Sequence, residues 1–331
     1  MKQDVKAKEF LRNSENFADA FNYYLFDGEQ VIKGSDLEEK DAEELLFAGM
    51  PRRSRAYQRQ RDLLRGCTIK SDGRMTYVLL GIESQSKLHY AMPVRNLLYD
   101  ALDYAAQVKS ISDQHSKSGD RLNHDEFLSG IAAEDRIIPV ITLVIYWGDS
   151  KWDAPTKLSD MFTDTDDRLK DYISDYSINL IAPHDIKDFN KFHSELGEVL
   201  EIIKRQREEN LPDKLIKEKG SDWTMSRSAV EMIGEYTNTG ISSGPTREDR
   251  VEMKNAFQLL EERGEKRGME IGLDKLLIGQ ICKKLARGMD IPAIAREVEE
   301  PEEKVSKICE IASKYAPDYD VEEILKKMRA D

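Results

Sequence analysis

Two runs, Arg61–Lys70 and Arg74–Glu83, flank Ser71-Asp72-Gly73, and this arrangement constrains the fold more than any other stretch of the chain. Asp-Gly is a preferred pair for a two-residue hairpin loop, so the runs read as two antiparallel strands. With Asp72 and Gly73 in the loop, Leu64 meets Gly81, Gly66 meets Leu79 and Thr68 meets Tyr77, while on the other face Leu63 meets Ile82 and Cys67 meets Val78. Large opposes small and apolar opposes apolar, as a packed sheet requires.

The same register sets Asp62 opposite Glu83. Directly opposed side chains lie roughly 4.5–5.5 Å apart at Cβ, where like charges repel unless something bridges them. A divalent cation is a natural bridge. Side chains alternate faces along a strand, so Gln85 shares the face of Glu83. The plain alternative is that both acids cap strand ends in solvent.

The basic residues upstream favour a functional reading. Pro51–Arg65 carries Arg52, Arg53, Arg55, Arg59, Arg61 and Arg65 against the single acid Asp62. A run of arginines is by default a solvated face, but beside an acidic pair it suits a nucleic-acid backbone. The net charge of −13 argues against binding nucleic acid over the whole surface.

At 331 residues, 40% hydrophobic and 34% charged, the chain is expected to be a soluble protein with one large domain and a smaller appendage. Its longest apolar run, Ile137–Trp147, is too short to span a bilayer and reads as a buried strand. The first residues lack the apolar core of a signal peptide, so no membrane role and a cytoplasmic location are expected. Cys67, Cys282 and Cys309 show neither zinc-site nor disulfide spacing, and the five histidines show no ligand spacing, which sets His-centred hydrolysis aside.

Helical spacing runs through residues 4–26, with a break or cap at Asn13-Ser14-Glu15. A mixed acidic stretch, 27–50, includes a strand or turn. Pro93 opens a helix in which Leu97, Leu98, Ala101, Leu102, Ala105 and Val108 recur at helical spacing. Residues 110–123 read as a loop, and 176–182 as an edge strand. Helical patterns cover 189–210 and 247–265, with a Gly/Thr/Ser-rich loop at 234–245. Gly264, Gly268, Gly272 and Gly279 interrupt a charged helix and suggest a hinge, each costing roughly 1 kcal/mol relative to alanine. Helices over 276–287, 291–298 and 301–315 suggest a small helix-turn-helix-like module, read as a protein contact or cap before groove reading. The expected division is 1–240 for the core domain with a helical extension, and 241–331 for a charged helical linker and that module.

Taken in order, Asp4–Phe10, Asp62-Leu-Leu64, Leu80–Ser86, Met92–Tyr99 and Ile138–Gly148 resemble the recombination-promoting nucleases, also called transposases, of the PD-(D/E)XK superfamily. The likeness covers roughly residues 4–185, and it rests on the order and spacing of motifs, none of which is specific alone. It implies an α/β fold, a mixed sheet flanked by helices with a helical C-terminal region, and a DNA-cleaving site at the hairpin that uses Mg²⁺. Asp62 matches the family's aspartate, and Glu83 the acid of its (D/E)-X-K element. Gln85 stands where most of the superfamily has lysine; Lys87 is a candidate substitute, and Asp4 or Glu9 is a candidate acid from the first helix.

The expectation is therefore a Mg²⁺-dependent DNA endonuclease with Asp62, Glu83 and Gln85 as site residues and Asp62 and Glu83 as metal ligands. The arginines from Arg52 to Arg65, with Arg95 and Tyr99 on the following helix, would hold the phosphate backbone. Cutting both strands would favour a homodimer. The competing expectation is a non-catalytic DNA-binding or regulatory protein built on a disused nuclease core.

Overall fold

Asn13 divides the N-terminal helical pattern into α1 (Lys2–Arg12) and α2 (Ser14–Phe26): its side chain accepts from the backbone N–H groups of Glu15 at 2.9 Å and Asn16 at 3.3 Å. This is the expected break, made by an N-cap. Phe10, Leu11, Phe17, Ala20 and Phe21 on the two helices are fully buried. The computed structural model describes residues 2–39, 62–71, 74–119, 123–164, 166–237, 239, 241–244 and 249–329. Asp72 and Gly73, and Arg52, Arg53, Arg55, Arg59 and Arg61, lie outside the described residues.

The central sheet has the order β1 (Leu37–Glu39), β2 (Leu63–Ser71), β3 (Arg74–Gln85), β4 (Val140–Tyr146), β5 (Asn179–Ile181). Strands β2 and β3 pair in the register expected from the sequence, from Leu63 opposite Ile82 to Ser71 opposite Arg74. Gly66 lies opposite Leu79 and Gly81 opposite Leu64 across the ladder. β1 adds antiparallel to β2, whereas β3, β4 and β5 run parallel. The mixed α/β sheet flanked by helices is thus present.

Parallel strands need a long crossover. That between β3 and β4 contains α3 (Met92–Ser118), opened by Pro93 and closed at Gly119, followed by the short α4 (His124–Ser129). Residues 110–118 are therefore helical, where their polarity suggests a loop. α3 covers the sheet face that carries Gly81, Glu83, Thr142 and Val144: Asp100 accepts from the Thr142 hydroxyl at 2.6 Å, and Met92 packs with Val144. α1 and α2 cover the opposite face, where the Arg65 guanidinium lies 4.7 Å from the centre of the Phe17 ring and Phe10 meets Trp147 edge-on.

Further along come α5 (Asp167–Lys170), α6 (Glu195–Arg205), α7 (Leu211–Lys219), the β6 (Thr224–Ser226)/β7 (Arg250–Glu252) pair, and α8 (Arg227–Tyr236). α8 packs on α1, with Lys6 paired to Glu231 and Gln3 donating to the carbonyl of Glu235 at 3.0 Å.

The chain divides into two compact units at Ala256/Phe257, inside the long helix α9 (Met253–Leu285). α9 runs unbroken through Gly264, Gly268, Gly272 and Gly279, so the interruption of the helix expected at these glycines does not occur. Strong helix formers surround these glycines and offset their entropic cost. The second unit has its own core, built from Ile278, Ile281, Ile294, Val305, Ile308 and Ile324 on α9, α10 (Ile291–Val298), α11 (Glu302–Ala312) and α12 (Val321–Met328). The sequence reading omits α12, whose Asp320 cap and buried Ile324 and Leu325 close this core.

Candidate active site

The carboxyl ends of β3 and β4 and the start of β2 meet at one end of the sheet. Leu63 and Ile82 are the last ladder pair there, so Asp62 lies one residue beyond it, level with Glu83. The Asp62 carboxylate turns onto the neighbouring backbone: Oδ2 accepts from the N–H of Ser84 at 2.8 Å. Its Oδ1 lies 2.9 Å from the ammonium of Lys8, which reaches in from α1.

Glu83 is fully buried and is ion-paired to Arg95 of α3 at 3.0 Å. Arg95 Nε donates to the Tyr99 hydroxyl at 3.3 Å, one helical turn on. Burial alone would lower the pKa of Arg95; Glu83, Tyr99 and Asp62 outweigh it and raise it. Burial raises the pKa of Tyr99 and Glu83 adds to it, Arg95 opposes the rise, and Asp62 also contributes. Both carboxylates thus bear electrostatically on the same two groups.

Gln85 is buried at the end of β3, paired with Tyr146, and its carbonyl accepts from the backbone of Trp147 at 2.9 Å. Lys87 does not extend this face. β3 ends at Gln85, and Lys87 stands exposed on the bend that follows. Of the two acids on α1, Glu9 points toward Lys6 at 3.4 Å. Asp4, the other, bears electrostatically on Tyr236 of α8. Burial, then Asp4 and later Asp62 raise the pKa of the Tyr236 hydroxyl, with Ser84 opposing the rise.

Arg65 corrects the reading of the arginine run. It is 2% exposed, with its guanidinium donating to the Arg12 carbonyl at 2.6 Å and to Ser14, so it ties the sheet to α1 and α2 and is not available to a phosphate. It pairs with Leu80 of β3, and that hairpin register is the signal that could have separated it from the rest of the run. Arg95, placed by the sequence reading on the backbone of a nucleic acid, is held here by Glu83. Lys8 escaped that reading, and its spacing of one turn from Asp4 is the signal that could have found it.

A cleft of about 910 Å³ lies elsewhere, lined by Asp19, Glu195, Glu198 and Arg250 among others. Asp19 accepts from the backbone of His193 and Ser194, and Glu195 from Ser226. These acids fasten loops, so we place no chemistry there.

The model of the family described as "Putative transposase, YhgA-like" matches residues 2–218. The chain belongs to this family. The family lies in the PD-(D/E)XK-like transposase and nuclease group, which supports a transposition-related role. Its matched span contains Lys8, Asp62, Glu83, Gln85 and Arg95, but ends before α8. Searches of curated proteins and of solved structures each gave no match. Among the described residues no helix is long and apolar enough to cross a membrane.

Proposed function

We propose that this transposase-family chain is a Mg²⁺-dependent endonuclease that hydrolyses DNA phosphodiesters during transposition or recombination. The observation that carries the reading is that Asp62 lies level with Glu83 at one sheet end, just beyond the last β2–β3 ladder pair, each acid matched by a cation from a different helix.

The donor set suits the metal. Mg²⁺ prefers hard oxygen ligands and is commonly held by one or two carboxylates plus waters and substrate phosphates. Asp62 and Glu83 would supply the carboxylates. Among the described residues no group of three or more His, Cys, Asp or Glu could hold an ion, so the proposed site would rest on these two carboxylates with waters and substrate oxygens. The ion, when bound, would lower the pKa of a water and offset charge on the phosphate.

The protein's own groups then have separate tasks. Gln85 cannot serve as a base, because an amide does not titrate; it would position a water or a phosphate oxygen through hydrogen bonds. Arg95, anchored by Glu83 and Tyr99, would fix the orientation of Glu83. The Arg52–Arg61 residues remain the proposed grip on the DNA backbone. Cleavage of both strands would call for two copies, a proposal that sedimentation with DNA can check.

One observation favours the rival reading of a DNA-binding protein on a disused nuclease core: both carboxylates already have basic partners. A plasmid-nicking assay with Mg²⁺ and Mn²⁺ separates the two. The expected result is nicking by the wild type that Asp62→Ala abolishes. Nicking that persists in Asp62→Ala would remove the site, and an inert wild type with every metal would support the rival.

A further inference from the structure

Phosphodiester hydrolysis forms a bond from a water oxygen to phosphorus while one P–O ester bond breaks. The water's proton passes to solvent and the departing oxygen takes one up. Charge builds on the phosphate as this happens, and a fixed cation near it lowers the barrier. Gln85 is neutral, Lys87 stands on an exposed bend beyond β3, and Arg95 is tied to a fully buried carboxylate.

Lys8 differs from all three. Its ammonium touches Asp62 at 2.9 Å, yet the side chain is 38% exposed, whereas Arg95 is 22% exposed. The backbone beneath it is rigidly seated, since Ala7, Phe10 and Leu11 on the same helix are fully buried and Lys6 is paired to Glu231. The other oxygen of Asp62 accepts from the Ser84 N–H at 2.8 Å, a contact that does not involve Lys8.

We propose that Lys8, delivered from α1 across the sheet end, supplies the active-site cation that Gln85 does not: it holds Asp62 in the free protein and turns to the phosphate when a divalent ion takes its place. This rests on the nuclease reading. It assigns the ammonium two opposed effects, competition with the metal for Asp62 and assistance to the reaction once DNA is bound.

The test uses the full chain with Lys8→Met and Lys8→Arg. Plasmid cleavage is measured at saturating Mg²⁺, Mn²⁺ affinity without DNA by calorimetry, and helix content by circular dichroism. With helix content unchanged, Lys8→Met is expected to cleave about 100-fold more slowly while binding Mn²⁺ several-fold more tightly, and Lys8→Arg to recover part of the rate. A Lys8→Met variant that cleaves at the wild-type rate overturns the assignment and leaves the nuclease reading standing. Loss of cleavage together with weaker Mn²⁺ binding marks a merely structural lysine and also overturns it. A wild type that cleaves with no metal overturns both readings at once.

Discussion

Single residues explain how far this candidate site is legible in the sequence. Asp62 and Glu83 followed from strand register, since a two-residue loop leaves one pairing and the pairing names the partners. Lys8 required knowing which helix crosses that sheet end, which no local pattern encodes. Arg65 was misassigned because a charge run was read as a unit, although strand alternation separates its members into buried and exposed.

Cys67 gives a residue-scale prediction. Burial, aided by Asp36, pushes its thiol from the ordinary 9.0 up to about 11. A pKa raised by folding means that the stabilising contribution is complete below the unfolded value and lost as pH rises between the two. Urea midpoints are therefore expected to hold steady up to pH 8 and to fall between about pH 9 and 11. Cys67→Ala should show a smaller fall, and equal falls in both proteins would sink the explanation. Native-state thiol titration should also be slow, because Cys67, Cys282 and Cys309 are all buried.

At the scale of elements, α3 inverts the usual amphipathic rule. Its apolar series, Val94, Leu97, Leu98 and Val108, faces outward at 37–46% exposure. Asn96, Asp100, Asp103 and Gln107 are buried instead. The reason lies in the crossover. The chain entering β4 brings backbone groups that need partners, and α3 supplies them: Gln107 exchanges two hydrogen bonds with Ile138, and the Tyr104 hydroxyl accepts from Val140. Apolar spacing correctly marked a helix here while pointing to the wrong face.

Stability measurements distinguish those faces. Leu98→Lys should change the unfolding free energy by less than about 0.5 kcal/mol, as surface substitutions usually do. Asp100→Ala, which strands the buried hydroxyl of Thr142 and removes the partner of Tyr176, should cost about 1–3 kcal/mol. Urea denaturation of both variants gives the comparison, and the reverse ranking would mean that α3 is rotated from the orientation described.

For the whole molecule, the fold class was legible because the hairpin, the apolar run of β4 and the Pro-opened helix each carry strong local signals. The organisation of the C-terminal unit was less so. A glycine every four residues over Gly264, Gly268 and Gly272 suggests a break, but α9 is helical throughout, and nothing lies within 4 Å of where a Cβ would sit at these three positions. α12 was missed because its pattern is short and only the packing of Ile324 reveals it. The separate core of this unit predicts that residues 253–331 expressed alone will be helical and unfold cooperatively on heating, as followed by circular dichroism. A featureless melt would show that the unit cannot stand alone.

The seat of α1 carries one more consequence. The helix that brings Lys8 to Asp62 is clamped from outside by α8, through Lys6 to Glu231 and Gln3 to Glu235. Family likeness stops at residue 218, ahead of that clamp. A fragment cut at the end of the matched span would therefore leave α1, and with it Lys8, without the contacts that hold it from outside.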